Sequence, residues 1–127
     1  MPRPDWCHPP DPAGAFATPE RCTIEELWND PACPDASLAR ATVAPGVTTQ
    51  LHALRGVVEV YVIQTGHGMM EVAGTTARVG PGDRVAIPAD APQRITNTGT
   101  GNLVFLCLCT PRFRPDSYVD LETPTGA

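Results

Sequence analysis

The side chains that could carry chemistry are few, and they fall in two short stretches of the chain. His52, Glu59 and Tyr61 lie close together in the first stretch, and Gln93 lies in the second. An imidazole and a carboxylate can ligate a transition metal, and they can equally accept and donate protons. A structural alternative is that His52 and Glu59 hydrogen-bond each other as a satisfied buried pair.

The segments around these residues have the pattern of β-strands. Apolar runs recur from Leu38 onward, separated by Gly, Pro, Asn or Thr. They predict strands near 38–44, 47–53, 57–64, 68–73, 76–79, 84–87, 92–97 and 102–109. Many short strands at this spacing are typical of an all-β sandwich or barrel.

Strand geometry predicts which of these side chains share a face. Because side chains alternate along a strand, His52 lies on the same face as Gln50 and Leu54, and Glu59 lies on the same face as Tyr61. If these faces point inward, the lumen is mostly apolar and holds a few polar groups. Such a composition is typical of a small-molecule pocket.

Both stretches contain glycine, proline and polar residues at regular intervals. These residues are Gly46, His52, Leu54, Glu59 and Gly66 in the first stretch, and Gly82, Pro88, Asp90, Gln93 and Asn97 in the second. Their spacing resembles the two sequence motifs of the cupin superfamily, over about residues 38–110. The chain looks like the small single-domain cupins, and the resemblance implies a cupin-type jelly-roll β-barrel.

The same resemblance implies a metal site inside the barrel. Many cupins hold one divalent metal on three histidines and one glutamate. Here His52 stands at the first histidine position, Glu59 at the glutamate position, and Gln93 at the histidine position of the second motif. Leu54 replaces the remaining histidine and cannot ligate. The implied ligands are therefore His52, Glu59 and Gln93, for one divalent transition metal (Fe, Mn, Zn, Cu or Ni).

The resemblance leaves the reaction open. The first hypothesis is a metal-dependent dioxygenase-type oxidoreductase that acts on a small organic molecule, with Glu59 and Tyr61 as catalytic residues. The second is a metal-free cupin that binds or senses a small molecule, which Leu54 and Gln93 favour. A third is metal-free acid–base catalysis, in which Glu59 carries a proton because an apolar lumen raises its pKa. The resemblance also allows a cupin isomerase, cyclase or lyase.

Proline content divides the chain. Residues 1–20 hold six prolines, which predicts an extended N-terminal arm. We assign residues 21–115 to a single barrel and residues 116–127 to a C-terminal tail. Residues 21–36 could form one helical turn or a short strand. If the arm folds over the barrel mouth, Cys22 approaches the site, whereas Cys7 and Cys33 have no assigned role.

Composition excludes several partners. The net charge is −5 and all nine basic residues are arginine, so no basic stripe exists for a nucleic acid. The longest apolar run, Leu103 to Cys109, is too short to span a membrane. The N-terminus lacks the apolar core of a signal peptide, and the five cysteines suggest no disulfide framework. These features predict a cytoplasmic protein.

One strand predicts self-association. Along 102–109, Cys107 and Cys109 share one face, and Val104, Leu106 and Leu108 form an equally apolar opposite face. A strand that is apolar on both sides needs a cover outside the barrel. A second subunit would supply that cover, so we expect a homodimer.

Overall fold

The computed structural model describes residues 3–122, and its regular secondary structure consists of short antiparallel strands and one 3₁₀ turn. The strands are β1 (Ala15–Ala17), β2 (Thr23–Trp28), β3 (Ser37–Val43), β4 (His52–Leu54), β5 (Val58–Thr65), β6 (Gly68–Val72), β7 (Thr75–Val79), β8 (Arg84–Ile87), β9 (Gln93–Asn97), β10 (Leu103–Thr110) and β11 (Tyr118–Asp120). One 3₁₀ turn, Pro115–Ser117, precedes β11. Within residues 3–122, no helix has the length and apolar character needed to cross a membrane.

Two sheets face each other and enclose the core. The six-stranded sheet has the order β1-β2-β3-β10-β5-β8, and the five-stranded sheet has the order β11-β4-β9-β6-β7. Neighbours in both sheets that are distant in sequence, such as β3 beside β10, require the chain to cross between sheets. The prediction of an all-β jelly-roll barrel is confirmed.

Alternation along the strands decides which residues fill the interior. On β5, Glu59, Tyr61 and Ile63 are buried, while Val60 and Val62 between them are only partly covered. The largest fully buried apolar side chains are Phe105, Ile63, Ile87, Ile95 and Leu103. Each contributes roughly 1.5–3 kcal/mol through removal of apolar surface from water. The core therefore holds β5, β9 and β10 in fixed register.

The glycine that ends the first motif has a steric reason to be glycine. Gly66 adopts a φ of 88°, and a Cβ built there would lie 2.6 Å from the backbone oxygen of Asn102. No side chain fits in that space. The position lets the turn after β5 pass close to the start of β10.

The N-terminal part of the chain lies beside β2. β1 pairs with β2 in antiparallel register, and the ring of His8 meets the ring of Trp28 edge-on at 4.8 Å. Between residues 21 and 36, the strand alternative is confirmed as β2 and the helical-turn alternative is wrong. Because β1 lies within the predicted arm and β11 within the predicted tail, the boundaries of arm, barrel and tail stay predictions.

The outer face of β10 lies open on the six-stranded sheet. Val104 and Leu106 are partly buried there, and 39% of Leu108 is exposed. On the neighbouring strand β5, Val62 and Val60 lie opposite Leu106 and Leu108. Residues 3–122 provide no cover for this apolar face, and the homodimer stays a prediction.

Candidate active site

A small cavity lies between the two sheets. Its volume is about 80 Å³, which is large enough to hold water. The side chains around it come from β2, β3, β4, β5, β10 and β11 and from the segments beside them. They are Glu20, Cys22, Ile24, Glu26, Ser37, Ala39, Ala41, Thr49, His52, Leu54, Glu59, Tyr61, Phe105, Cys107, Cys109, Phe113 and Tyr118. The cavity is thus apolar over most of its wall, with an imidazole and three carboxyl groups.

Glu59 is held at two oxygens. The amide nitrogen of Gln93 donates to Oε1 at 2.9 Å, and the thiol of Cys109 donates to Oε2 at 3.7 Å. Cys109 is brought there by sheet pairing, because it lies opposite Glu59 in the β5–β10 register. Both oxygens of Glu59 therefore accept a hydrogen bond, and the contact from the Gln93 N–H at Oε1 is the shorter of the two.

Gln93 connects Glu59 to Tyr61. Its amide oxygen accepts a hydrogen bond of 2.7 Å from the Tyr61 hydroxyl, while its amide nitrogen binds Glu59. Only 1% of Gln93 is exposed, and the residue does not belong to the cavity wall. Tyr61 itself packs against Phe105, with ring centroids 4.4 Å apart. Tyr61, Gln93 and Glu59 therefore form a buried chain of hydrogen bonds that fixes the position of the Glu59 carboxyl.

His52 presents one ring nitrogen to the cavity. Its Nδ1 lies 2.8 Å from the backbone oxygen of Gln50. A carbonyl cannot donate, so Nδ1 carries the proton and Nε2 carries the lone pair. Within residues 3–122 the Nε2 atom has no hydrogen-bond partner, and no polar side-chain atom is both fully buried and unpartnered. The Nε2 lone pair therefore faces the open space of the cavity.

An aromatic ring on β11 fixes the orientation of His52. Tyr118 on β11 stacks on the imidazole at 4.8 Å between ring centroids, with 15° between the planes. Its hydroxyl donates to the side-chain oxygen of Gln50. Gln50 thus holds His52 through its backbone and Tyr118 through its side chain. The hydrogen-bond alternative, in which His52 pairs with Glu59, is wrong: in the described residues His52 Nδ1 contacts Gln50, and Glu59 accepts from Gln93 and Cys109 instead.

Burial shifts the pKa values of the cavity groups in opposite senses. It raises the pKa of Glu59 to about 7, although the Gln93 hydrogen bond opposes the rise. Burial also raises the pKa of Glu20 to about 7. For His52 burial lowers the pKa, because the imidazolium form loses hydration. Near neutral pH, a partly protonated carboxyl therefore coexists with a neutral imidazole in one cavity.

The residues predicted to bind a metal do not form a suitable donor set. The Gln93 oxygen is occupied by Tyr61, and both Glu59 oxygens accept hydrogen bonds. Among the three predicted ligands, only Nε2 of His52 has a lone pair that no hydrogen bond engages. Transition-metal sites combine three or four ligating atoms. Across the described chain, no three His, Cys, Asp or Glu side chains are grouped so that they could hold a metal.

Sequence reasoning found part of this site. His52, Glu59 and Tyr61 line the cavity as alternation predicts, and Cys22 also reaches it. Reasoning missed Glu20, Glu26 and Tyr118. Glu20, Cys22, Ile24 and Glu26 alternate along β2 and its approach, which would have identified them had this segment been recognised as a strand. No local signal places Tyr118 beside His52.

Comparison with known proteins agrees with this architecture. The chain is 37% identical over 86 residues to an uncharacterized protein of Methanocaldococcus jannaschii, across 68% of this chain. It spans 66% of that protein's length, slightly less than two thirds. A crystal structure of a predicted oxalate decarboxylase from Thermotoga maritima superposes with a TM-score of 0.67 at 27% identity, covering 71% of this chain and 80% of that one.

A second solved structure shows the shared fold over most of the chain. A Streptomyces nucleoside dehydratase superposes with a TM-score of 0.74 at 13% identity, covering 91% of each chain. The family description that matches this sequence is the cupin domain, over residues 39–109. That match spans more than half of the chain and includes both motifs, so the chain belongs to the cupin family.

Proposed function

We propose that this cupin is a metal-independent enzyme that moves a proton on a small organic molecule, as an isomerase or a lyase. Glu59 is the general acid and His52 is the general base. The observation that carries the proposal is the single cavity that both side chains line. Burial favours the protonated form of one and the neutral form of the other.

The chemistry follows from these two protonation states. His52 Nε2 accepts a proton from a carbon atom next to a carbonyl group, and the electron pair of the broken C–H bond forms a carbon–carbon double bond. In an elimination, a hydroxyl on the neighbouring carbon leaves and takes the Glu59 proton as water. In an isomerisation of a hydroxy aldehyde or hydroxy ketone, Glu59 protonates the carbonyl oxygen to give an enediol. Protonated His52 then gives its proton to the former carbonyl carbon, and the other hydroxyl of the enediol returns a proton to Glu59. No electron acceptor is needed in either case.

Gln93 and Tyr61 are positioning residues in this scheme. The Gln93 N–H holds the Glu59 carboxyl in place through Oε1. Tyr61 fixes the Gln93 amide by donating to its oxygen. The pKa of Tyr61 lies well above its usual value because the phenol is buried, and this opposes a role as a proton donor.

The dioxygenase hypothesis requires a redox metal, and the donor set does not fit one. A second candidate is a metal-free binding or sensing module, favoured by the hydrogen bonds that already engage both Glu59 oxygens. Such a module needs no turnover, so measurement of proton transfer separates it from an enzyme. The homodimer and the cytoplasmic location remain predictions within either reading.

The protonation states can be measured without a substrate. We expect ¹³C NMR titration to give Glu59 a pKa near 7, and ¹⁵N NMR to find His52 neutral at pH 7 with the proton on Nδ1. The variants E59Q and H52Q assign the signals. A Glu59 that titrates at its ordinary value, or a charged His52 at pH 7, would contradict the proposed roles.

Proton transfer itself is tested with hydroxyacetone in D₂O. The wild-type protein should catalyse deuterium incorporation beside the carbonyl, and E59Q and H52Q should each lower the rate by about 100-fold. The matched controls E25Q and H67Q change residues outside the cavity and should retain the rate. A bell-shaped dependence of rate on pH is expected, with its basic arm near pH 7 from Glu59. Equal rates in wild type and H52Q would rule out His52 as the base.

A further inference from the structure

The wall of the cavity carries acidic groups and no cationic group. Glu20, Glu26 and Glu59 contribute three carboxyls. No arginine belongs to the wall described in residues 3–122, and the sequence contains no lysine. An anionic ligand would therefore find no cation to pair with, at a substantial desolvation cost.

Three hydroxyl groups of the wall have no hydrogen left to donate to a ligand. The hydroxyl hydrogens of Tyr61, Tyr118 and Thr49 are donated to protein oxygens. Only 4% of the His52 surface is exposed, and its Nε2 offers a lone pair. A ligand that fits this wall must bring hydrogen-bond donors of its own.

Two of the carboxyls lie where the cavity reaches solvent. The wall residues that stay partly exposed include Glu20, Ile24, Glu26, Phe113 and Tyr118, whereas His52 and Glu59 are buried deeper. Within residues 3–122, the Glu20 carboxyl has no hydrogen bond or ion pair with another side chain, unlike Glu25, which pairs outward with Arg40. Glu20 therefore has no side-chain partner at the mouth, and because burial raises its pKa to about 7, it is a charged acceptor above that pH.

Aromatic rings complete the wall. Phe105 and Tyr61 are buried at the inner end, and Phe113 and Tyr118 stand beside the mouth. Aromatic rings attract an organic cation more strongly where water is excluded. The rings and the carboxyls therefore select the same kind of ligand, with an apolar body and a positive charge.

We infer that the ligand of this cavity is a small organic ammonium ion, which binds with its charged nitrogen beside Glu20 and Glu26. The inference deepens the proposed function, because it names the substrate class of the same cavity. Carboxylates and phosphates are excluded by the absence of a cation in the wall. A neutral molecule of the same shape binds more weakly because it leaves the Glu20 acceptor without a charged donor.

Three probes of one shape test the charge preference. They are isobutylammonium, isobutanol and isovalerate, which differ at the polar end. Binding is measured by chemical-shift perturbation of the ¹⁵N-labelled full chain. We expect isobutylammonium to bind at least about tenfold more tightly than isovalerate, a factor that corresponds to about 1.4 kcal/mol.

Matched variants locate the charge contact. E20Q and E26Q should each weaken isobutylammonium binding about three- to tenfold and leave isobutanol binding unchanged. E25Q is the control, because Glu25 lies on the same strand and faces Arg40. Circular dichroism and unfolding curves show that each variant is folded before its affinity is compared. Tighter binding of isovalerate, or equal losses in E20Q, E26Q and E25Q, would overturn the inference.

The ligand class and the proton-transfer roles can fail separately, and the H52Q variant distinguishes the two failures. Binding of isobutylammonium in H52Q, together with loss of deuterium exchange, supports both proposals. Ammonium selectivity with unchanged exchange in H52Q would refute the catalytic roles and keep the ligand class. Exchange that depends on His52 without ammonium selectivity would refute the ligand class alone.

Discussion

The hydroxyl of Tyr61 donates to the amide oxygen of Gln93 at 2.7 Å, across the interface between the two sheets. This contact decides which end of the Gln93 amide faces Glu59. With the oxygen committed to Tyr61, the nitrogen must donate to the carboxylate at 2.9 Å. The position at which many cupins carry a metal-binding histidine is therefore used here to hold and polarise an acid.

Removal of the Gln93 amide should move the titration of Glu59. In Q93L, the carboxylate loses the hydrogen bond that lowers its pKa, so the pKa of Glu59 should rise above about 7. The Tyr61 hydroxyl loses its acceptor at the same time, and we expect a stability loss of about 2 kcal/mol. Urea unfolding and ¹³C titration measure the two effects. Q64L changes an exposed glutamine and should produce neither.

The stability of the protein should fall as pH rises, because of Glu59. Its folded pKa of about 7 lies above the ordinary value of 4.5. Below pH 4.5 the group is protonated in both states. Between these values the unfolded chain releases its proton first, so the folded state loses relative stability, and the full cost is present above about pH 7.

The variant E59Q tests this linkage because it mimics the protonated acid. Its free energy of unfolding should exceed that of wild type by about 3 kcal/mol at pH 8, and the two should be nearly equal at pH 4.5. Urea unfolding at the two pH values gives the difference. E25Q, at a solvent-accessible carboxylate, should show no comparable gain at pH 8. A constant difference between E59Q and wild type at both pH values would contradict the raised pKa.

Strand β11 packs on His52 through Tyr118, and the Arg21–Glu122 ion pair beside the strand holds it in place. The two side chains meet at 2.8 Å, and Glu122 also accepts from the backbone nitrogen of Leu51. In E122Q, the amides of Leu51 and Leu121 should exchange severalfold faster in hydrogen-exchange mass spectrometry. D116N, in an exposed ion pair nearby, should leave them unchanged. Unaltered exchange in E122Q would show that β11 is held by other contacts.

The open apolar face of β10 should support a homodimer. Placing a charge in it, as in L106E, should convert the dimer to a monomer, because the carboxylate would be buried without a partner. Sedimentation velocity measures the change. L27E places the same charge on an exposed residue of β2 and should leave the dimer intact. A monomeric wild-type protein would refute the prediction at once.

Alternation along strands was enough to predict the inward positions of His52, Glu59 and Tyr61, because each is set by its own strand. The role of Gln93 was not predictable in this way. Its amide could point either oxygen or nitrogen toward Glu59, and the choice depends on Tyr61 in the opposite sheet. The two motifs fixed the fold class because their glycines and spacing reflect the turns of the barrel.

Two other parts of the site depend on pairing between strands that local sequence patterns do not predict. Glu20 and Glu26 enter the wall only because β2 joins β3, and residues 21–36 had no decisive periodicity. Tyr118 reaches His52 because β11 pairs with β4, which places Tyr118 opposite Leu54. A pairing between strands so far apart in sequence has no local signature. The chemistry of the cavity could therefore be predicted only in outline.

The central claim is that this cavity works without a metal, and the metal content of the protein tests it most directly. The untagged chain is purified without chelator, incubated with iron, manganese, zinc, copper or nickel, desalted and measured by elemental mass spectrometry. We predict far less than one metal per chain in wild type, with the same value in H52A. About one transition metal per chain in wild type, lost in a folded H52A variant, would contradict the account.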